Sequence, residues 1–357
     1  MHIVIEEKIS VNLTCYLLPC FGYAQHKVPC SLFPLLTMKF ILHDYLLIIA
    51  ALLDYLIGDP WGWPHPVRVM GWLISGLSKF FLQHCQSSQI QRLAGIVLAI
   101  ILIIGSGLSG WLIVQIARWL HPLLGIVVES IFLASCFALH SLRKAALDVI
   151  QPLTKGNLES ARQILSNYVG RDTENLSETE VLRAVLETVT ENATDGVMAP
   201  LFYAIVGGLI PLVGPVPLAL AYKASSTLDS MVGYREAPYT YIGWFSAKLE
   251  DCLTWFPCRL TVMTLGFLSI KPLSVWRICC RDAIQDPSPN SGWSECAYAA
   301  ILGVQMGGIN WYRGVAKHKP LLGDAIYPIT PTSISQALQL TRYSFLLWLG
   351  VGILLIL

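Results

Sequence analysis

The chain has 357 residues, of which 54% are hydrophobic and only 13% are charged, whereas about a quarter of the residues in an ordinary soluble domain are charged. The composition therefore predicts a membrane protein. The formal net charge is +1, with 24 basic and 23 acidic residues. Because there is no basic excess of the kind that binds nucleic acid by releasing counterions, we expect no nucleic-acid partner.

Residues 1–37 precede Met38, which opens a segment more typical of the start of a membrane protein. Their apolar stretch is interrupted by Pro19 and Gly22, unlike the core of a signal peptide. We treat residues 1–37 as an N-terminal extension of doubtful status, without an assigned function, and residues 38–357 as a single integral membrane domain.

Long uncharged segments mark the candidate membrane spans, because a helix needs about 20 apolar residues to cross a bilayer. The clearest candidate is residues 93–117, which contain no charged residue. Weaker candidates are residues 41–58, 123–142, 252–270 and 343–357. The predicted fold class is therefore all-α, a polytopic helical membrane protein.

Residues 196–222 are also uncharged, but the sequence GGLIPLVGPVP interrupts them with prolines and glycines. Proline inside a helix removes a backbone hydrogen bond, so we predict a broken or re-entrant pair of half-helices. If Lys223 and Asp195 belong to one site, this segment must enter the membrane and return to the same side.

Residues 141–195 are polar enough to form a soluble helical insertion on the cytoplasmic side. Near its end, apolar residues recur at helical spacing after Ser177, and Ser177 with Glu180 forms a capping-box pattern. We therefore predict a helix from about residue 178 to residue 192.

Three carboxylates follow one another at a spacing of four residues: Glu187, Glu191 and Asp195. Side chains at this spacing share one helix face, and like charges there usually form a solvated surface. This row, however, ends at a membrane boundary, where a carboxylate is costly unless it is paired or binds a cation. Oxygen ligands of this kind suit Mg²⁺, especially when a substrate phosphate completes the coordination.

The sequence LALAYKASSTLDSMVGYR follows the interrupted apolar segment and places Lys223, Thr227, Asp229 and Ser230 within two helical turns. A lysine in this position often only extends its ammonium to the membrane interface. The hydroxyl groups and the carboxylate around it favour a phosphate and metal site.

The sequence GDPWGWPHPVRVMG places His65 and Arg68 among prolines, which fix an extended loop after the first apolar segment. Histidines and prolines at such a border more often have a structural than a catalytic role. A functional role for His65 and Arg68 therefore needs further support from the rest of the sequence.

The sequence RDAIQDPSPNSGWSEC carries polar side chains that include Ser288, Asn290 and Glu295. The apolar stretch that follows contains several glycines, and its structural interpretation is a turn followed by a closely packed helix. The glycines that would permit this packing are Gly303, Gly307 and Gly308.

Taken together and in order, these stretches resemble the CobD/CbiB family of cobalamin biosynthesis, the adenosylcobinamide-phosphate synthases. The resemblance is carried by LLDYLIGDPWGWPHPVRVMG, VGRDT, ETVTENATDGVMAPLFYA, AYKASSTLDSMVGYR, GWFSAKLEDCLTWFPCRL and DPSPNSGWSECAYAAILGVQMGG. The sequence departs from the family pattern at Ser226, Asp286 and Ser294, where many members have Asn, His and Pro.

The resemblance implies a multi-pass membrane enzyme, a carbon–nitrogen ligase. Such an enzyme joins (R)-1-amino-2-propanol, or its O-phosphate, to a propionate side chain of adenosylcobyric acid, and uses ATP and Mg²⁺. It also implies a location in the cell (inner) membrane with the active site facing the cytoplasm, and other enzymes of the cobalamin pathway as partners.

Amide formation accounts for the residue types, because a carboxylate must be activated, most simply as an acyl phosphate, before an amine attacks it. On this hypothesis Glu191, Asp195 and Asp229 hold Mg²⁺. The base that deprotonates the amine is one of Glu187, Asp172 and His65. Substrate or phosphate contacts are assigned to Arg68, Arg171, Lys223, Thr227, Ser230, Ser288 and Asn290.

Two alternatives stay open at this stage. Broken apolar segments with a buried carboxylate such as Glu129 are typical of ion-coupled transporters, although no inverted repeat is visible. The other alternative is a non-catalytic membrane sensor on the same scaffold; the intact carboxylates and Lys223 argue against it.

Overall fold

The computed structural model describes residues 45–58 and 65–356, and this part of the chain is almost entirely helical. Thirteen α-helices, one π-helix, one short 3-10 helix and one two-stranded sheet make up the regular structure of the described residues. The prediction of a polytopic helical protein is confirmed, and the small sheet is the one addition to it. The predicted extension at residues 1–37 lies outside the described residues.

The helices follow one another with short connections. They are α1 (Leu46–Ile57), α2 (Pro66–His84), α3 (Ser88–Leu120), α4 (Pro122–Cys136), α5 (Leu139–Thr154), α6 (Leu158–Leu165), α7 (Glu178–Asn192), α8 (Ala199–Leu209), α9 (Pro215–Val232), α10 (Trp244–Leu268), α11 (Pro272–Asp282), α12 (Ser291–Leu302) and α13 (Pro331–Ile356). A π-helix (Ala193–Met198) joins α7 to α8, and the strands are β1 (Met306–Tyr312) and β2 (Val315–Leu322).

Three helical stretches are long and apolar enough to cross a membrane: Ser88–Leu120, Pro122–Thr154 and Pro331–Ile356. They contain the predicted spans at 93–117 and 123–142 and the described part of the span at 343–357. The candidate at 252–270 lies in α10, which is not one of these three stretches. In the candidate at 41–58, the described residues form the shorter apolar helix α1.

The interrupted apolar segment folds as a helical hairpin, which we call the α8–α9 hairpin. Residues 210–214 form its turn, and Pro215 opens α9. Proline is well suited to a first helical position, where its missing N–H has no partner in the helix. Gly214 before it has φ +80°, a conformation that favours glycine. The prediction of a broken helix pair is confirmed.

Glycines of α3 allow α9 to approach it closely. A Cβ atom at Gly110 would lie 2.3 Å from Leu220 Cδ1, and one at Gly107 would lie 3.0 Å from the Pro217 carbonyl oxygen. The stretch GSGLSG at residues 105–110 matches the glycine spacing of dinucleotide-binding loops, but it lies inside a membrane helix. These glycines therefore serve helix packing.

Helix α7 begins with the predicted capping box, in which Ser177 Oγ accepts from the Glu180 N–H and Glu180 Oε2 accepts from the Ser177 N–H. Its apolar face, which includes Val181 and Val185, is buried and packs against α5, α12 and α13. The predicted helix is confirmed. The division of the chain at residues 141–195 stays a prediction.

The glycine-rich segment after α12 differs from the prediction of a packed helix. Helix α12 ends at Leu302, and Gly303 has φ +67°. Gly307 and Gly308 lie in β1 with φ +89° and +92°, values that a helix does not permit. A Cβ atom at Gly307 would lie 1.9 Å from the Pro320 carbonyl oxygen, so glycine here allows the two strands to meet.

Candidate active site

The acidic row of α7 begins with a carboxylate that joins three segments. Glu187 is 1% exposed; its Oε2 accepts from Arg171 Nη2 at 2.5 Å, and its Oε1 accepts from the Gly307 N–H at 2.9 Å. Arg171 also donates from Nη1 to Asn310 Oδ1 at 2.9 Å. The predicted residues Glu187 and Arg171 therefore fix the loop before α7 and the strand β1 against α7.

Asp172 fixes the other end of the two strands in a similar way. Its carboxylate accepts hydrogen bonds from the N–H groups of Arg313 at 2.9 Å and Gly314 at 2.8 Å, which form the turn between β1 and β2. A cleft of about 1130 Å³ lies beside this turn, with Arg171, Asp172 and Trp311 in its wall. Asp172 is therefore held at the edge of a cavity.

The next two carboxylates of the row, Glu191 and Asp195, are partly buried where α7 passes into the π-helix. A π-turn is wider than an α-turn and is common at functional sites. Loss of hydration on burial is the main cause that raises the pKa of both carboxyls. The charges that act on Asp195 are those of Glu250, Glu191 and Asp229, which raise its pKa, and of Lys223, which lowers it.

The α8–α9 hairpin and α10 supply the carboxylates next to Asp195. Burial raises the pKa of Asp229 to about 6, with a further contribution from Asp251. Burial also raises the pKa of Glu250 to about 7, although Thr254 Oγ1 donates a hydrogen bond to this carboxylate. We call these residues the hairpin-side group: Asp195, Asp229, Glu250 and Asp251, with Lys223 and with Lys248, which lies 3.4 Å from Asp251.

A second set of charges lies around Glu191. Glu295 of α12 is 0% exposed, and its Oε1 accepts from Lys319 Nζ of β2 at 2.5 Å. Burial lowers the pKa of Lys319, but the charges of Glu295, Glu191 and Glu187 outweigh this effect, so the pKa of Lys319 is raised. We call these residues the helix-side group: Glu187, Glu191, Asp286 and Glu295, with Arg171, Arg183 and Lys319.

Glu250 and Lys319 were not predicted as site residues. Glu250 lies in the sequence GWFSAKLEDC, where two adjacent carboxylates in a helix give no local sign of their role. Lys319 was missed because its strand was missed. In β2 it lies opposite Gly308, which directs its side chain to the buried Glu295.

The predicted metal ligands Glu191, Asp195 and Asp229 are brought close enough to affect one another's ionisation, and Lys223 is beside them. Two hydroxyl groups predicted to bind phosphate form hydrogen bonds within α9: Thr227 Oγ1 donates to the Lys223 carbonyl and Ser230 Oγ to the Ser226 carbonyl, each at 2.7 Å. The phosphate contacts of Thr227 and Ser230 stay predictions.

Ser288 and Asn290 are occupied in the turn before α12. Ser288 Oγ accepts from the Asn290 N–H at 3.3 Å. Asn290 donates from Nδ2 to the Asp251 carbonyl and accepts at Oδ1 from Arg259 Nη1, each at 2.9 Å. Asn290 therefore connects α12 to the segment of α10 that carries Glu250 and Asp251.

His65 and Arg68 lie at the start of α2, where His65 is the N-cap residue and Arg68 is exposed. Helix α2 packs against α9, the helix that carries Lys223 and Asp229. The catalytic role of His65 and the phosphate contact of Arg68 stay predictions.

The donor set around Asp195 fits a hard divalent cation. Within residues 45–58 and 65–356, no three His, Cys, Asp or Glu side chains converge closely enough to hold a metal ion alone. Magnesium usually takes only one or two carboxylates and keeps water or phosphate oxygens as its other ligands. Crowded, partly buried carboxylates are stabilised by such a cation, so the hairpin-side group is suited to Mg²⁺ that arrives with a phosphate.

Comparison with known proteins gives consistent results over most of the chain. The family model described as CobD/Cbib protein matches residues 47–341. A cobalamin biosynthesis protein CobD from Synechocystis sp. is 56% identical over 308 residues, covering 86% of this chain and 90% of the relative. A cobalamin biosynthesis protein CbiB from Salmonella typhimurium is 40% identical over 296 residues, covering 82% and 91%. A CobD protein from Geobacter metallireducens is 42% identical over 290 residues, covering 80% and 88%. No solved structure matches.

Proposed function

Because the chain belongs to the CobD/CbiB family and therefore acts in cobalamin biosynthesis, we propose that it is the ligase that forms adenosylcobinamide or its phosphate. The reaction joins (R)-1-amino-2-propanol, or its O-phosphate, to a propionate carboxylate of adenosylcobyric acid, with consumption of ATP.

One observation supports this proposal above the others: the two charged groups come together from separate segments of the chain. Glu191 and Asp195 come from α7 and the π-helix, Lys223 from α9, Glu250 from α10 and Lys319 from β2. Amide formation from two unreactive partners needs cationic side chains for phosphate and carboxylates for a metal and a proton. Both types of side chain are present here outside the three membrane spans.

Each set of residues has its own part in the proposed reaction. The carboxylates of the hairpin-side group would hold Mg²⁺, which supplies neutralisation of phosphate charge when it is bound. Lys223 of α9, whose charge acts on Asp195, is the residue that we assign to the phosphate. The guanidinium of Arg171 is already engaged by Glu187 and Asn310, so we assign it a positioning role.

The corrinoid needs a larger space than the amine or the phosphate. The cleft of about 1130 Å³ beside the β1–β2 turn exceeds the usual range for drug-sized ligands, about 300–1,000 Å³. Its wall includes Arg171, which also contacts Glu187 of the helix-side group. A ligand in this cleft would therefore lie next to Arg171 and Asp172.

We place the protein in the cell (inner) membrane with its active site facing the cytoplasm, where ATP is available. The α8–α9 hairpin supports this orientation, because its return brings Asp229 back to Asp195.

The transporter alternative depends on Glu129, which is buried in a membrane-spanning stretch. Its Oε2 accepts from Arg118 Nη2 at 2.6 Å. A carboxylate neutralised by an arginine at this distance is not a free binding site for a transported cation, so we favour the ligase.

The direct test is reconstitution. Purified protein in detergent is incubated with adenosylcobyric acid, Mg-ATP and either the amino alcohol or its phosphate, and corrinoid products are separated and weighed by mass spectrometry. We expect a product whose mass corresponds to one new amide and that requires ATP. Absence of any ATP-dependent corrinoid product with both amines would overturn the proposal.

A further inference from the structure

The proposed metal and phosphate contacts do not involve the carboxylate of Glu295. It is 0% exposed, and only one of its oxygens is engaged, by Lys319 at 2.5 Å. The other oxygen, Oε2, has no hydrogen-bond partner among the residues that the structure describes. A buried, unpaired carboxylate oxygen is costly, which indicates that a ligand atom belongs there.

The charges around Glu295 indicate which ligand this is. In the helix-side group, four carboxylates face three cationic side chains, which leaves an excess of one negative charge. The unpaired Oε2 of Glu295 lies in this acidic group and is therefore suited to a positive charge that can donate a hydrogen bond.

We propose that Glu295 binds the primary ammonium group of the amino alcohol, and that Glu295 Oε2 is the base that accepts its proton. This inference rests on the proposed ligase function. An aliphatic amine has a pKa near that of lysine, about 10.4, so the substrate arrives as a cation and must lose a proton before it reacts.

The proposed step balances as follows. The ammonium transfers one proton to Glu295 Oε2 and becomes a neutral amine. The amine nitrogen forms a bond to the activated carbonyl carbon, the bond from that carbon to the phosphate oxygen breaks, and phosphate leaves with the electron pair. The second nitrogen proton leaves with phosphate, and Glu295 releases its proton to water.

Lys319 has a positioning role in this scheme. Its ammonium holds Oε1 of Glu295 and leaves Oε2 as the oxygen without a hydrogen-bond partner among the described residues. Lys319 is in turn carried by β2, whose partner strand is bound by Arg183 through the carbonyls of Gly307 and Ile309.

The test compares two nucleophiles on one variant. Hydroxylamine is uncharged at neutral pH, so it can attack an activated carboxylate without an ammonium site or a base. We expect Glu295→Gln to lower amide formation with the amino alcohol by about a hundredfold or more while leaving ATP-dependent hydroxamate formation within about twofold of the wild-type rate. The matched control is Glu236→Gln. It removes an exposed carboxylate paired with Lys317 of β2, the strand that also carries Lys319, and it should change neither rate.

Equal loss of both products in Glu295→Gln would overturn the assignment, and so would retention of both. If Glu295→Gln does not accumulate in membranes, Glu295→Asp serves in its place, because it keeps the charge but withdraws it from the substrate; amide formation should again fall more than hydroxamate formation. A wild-type protein that forms neither product would instead refute the proposed ligase function.

Discussion

Asp195 lies where the two charged groups meet. It interacts with Glu191 on one side and with Asp229, Glu250 and Lys223 on the other. We expect Asp195→Asn to fold, because the amide has the same shape and removes a charge that is costly to bury. Turnover should fall by about a hundredfold or more, measured as ATP-dependent corrinoid product per amount of protein in the membrane.

The control for this variant is Glu178→Gln, which removes an exposed carboxylate in the first turn of α7. Its turnover should stay close to that of the wild type. Near-normal turnover of Asp195→Asn would show that the connection between the two groups is not needed for the reaction.

The raised pKa values of Asp229 and Glu250 make binding of Mg²⁺ depend on pH. Their carboxyls have pKa values of about 6 and about 7, and both must lose their protons before they bind a cation well. We expect the affinity for Mg²⁺, measured by calorimetric titration of the purified protein, to rise between pH 5.5 and pH 8. An affinity that is the same at both ends of this range would contradict the assignment.

In the metal-free protein, the same raised pKa values make folding stability fall as pH rises, whereas the affinity for Mg²⁺ increases. A carboxyl whose pKa is raised by folding keeps a proton that the unfolded chain has already released, so stability falls as pH rises from about 4 to about 7. We expect the unfolding temperature of the metal-free protein to fall over this window, and Glu250→Gln to make the fall smaller.

Among the elements, the β1–β2 sheet is the one on which the position of Lys319 depends. Gly307 has φ +89°, and a Cβ atom there would lie 1.9 Å from the Pro320 carbonyl. Gly314 also has a positive φ, +75°, but nothing lies within 4 Å of its Cβ position. Alanine substitutions at these two glycines therefore distinguish the cost of backbone strain from the cost of a steric clash.

We expect Gly314→Ala to cost about 1–2 kcal/mol of stability, the usual penalty for alanine in the left-handed region. Gly307→Ala has this penalty and the steric conflict, so its unfolding temperature and its turnover should both be clearly lower. Thermal unfolding in detergent and the product assay measure the two effects. If the two variants had equal unfolding temperatures and equal turnover, the close contact of the strands at Gly307 would not be needed to position Lys319.

The elements also show how far the sequence alone could lead. Helix α7 was predicted with its bounds because the capping box and the apolar spacing are local signals. The α8–α9 hairpin was predicted because Pro211 and Pro215 cannot continue a straight helix. The strands were not, because β2 lacks the alternation of apolar and polar residues that marks a half-buried strand, and β1 owes its conformation to glycines that contact a distant carbonyl.

For the site, the same distinction holds between local and long-range information. The spacing of Glu187, Glu191 and Asp195 predicted one shared helix face, but it did not show that Glu187 is already paired with Arg171. The partnership of Glu295 and Lys319 joins residues 24 positions apart through a sheet that was not predicted. Contacts of this kind depend on tertiary structure, and no local pattern reports them.

For the whole molecule, the helical hairpin makes a prediction about topology. Asn192 and Ser230 are exposed on either side of the hairpin, and His121 is exposed between α3 and α4. In a variant without native cysteines, we expect Asn192→Cys and Ser230→Cys to react with a membrane-impermeant maleimide from the same side, and His121→Cys from the other side. Labelling of Asn192→Cys and Ser230→Cys from opposite sides would contradict a returning hairpin.

The last helix has a different course from the hairpin. Helix α13 follows β2, which carries Lys319, and it ends beside the hairpin turn, where a Cβ atom at Gly208 would lie 2.7 Å from Ile356 Cδ1. It therefore passes from the charged residues to the opposite surface without returning. A reporter enzyme fused behind α13 would be exported, so alkaline phosphatase should be active there and a fluorescent protein that matures only in the cytoplasm should stay dark.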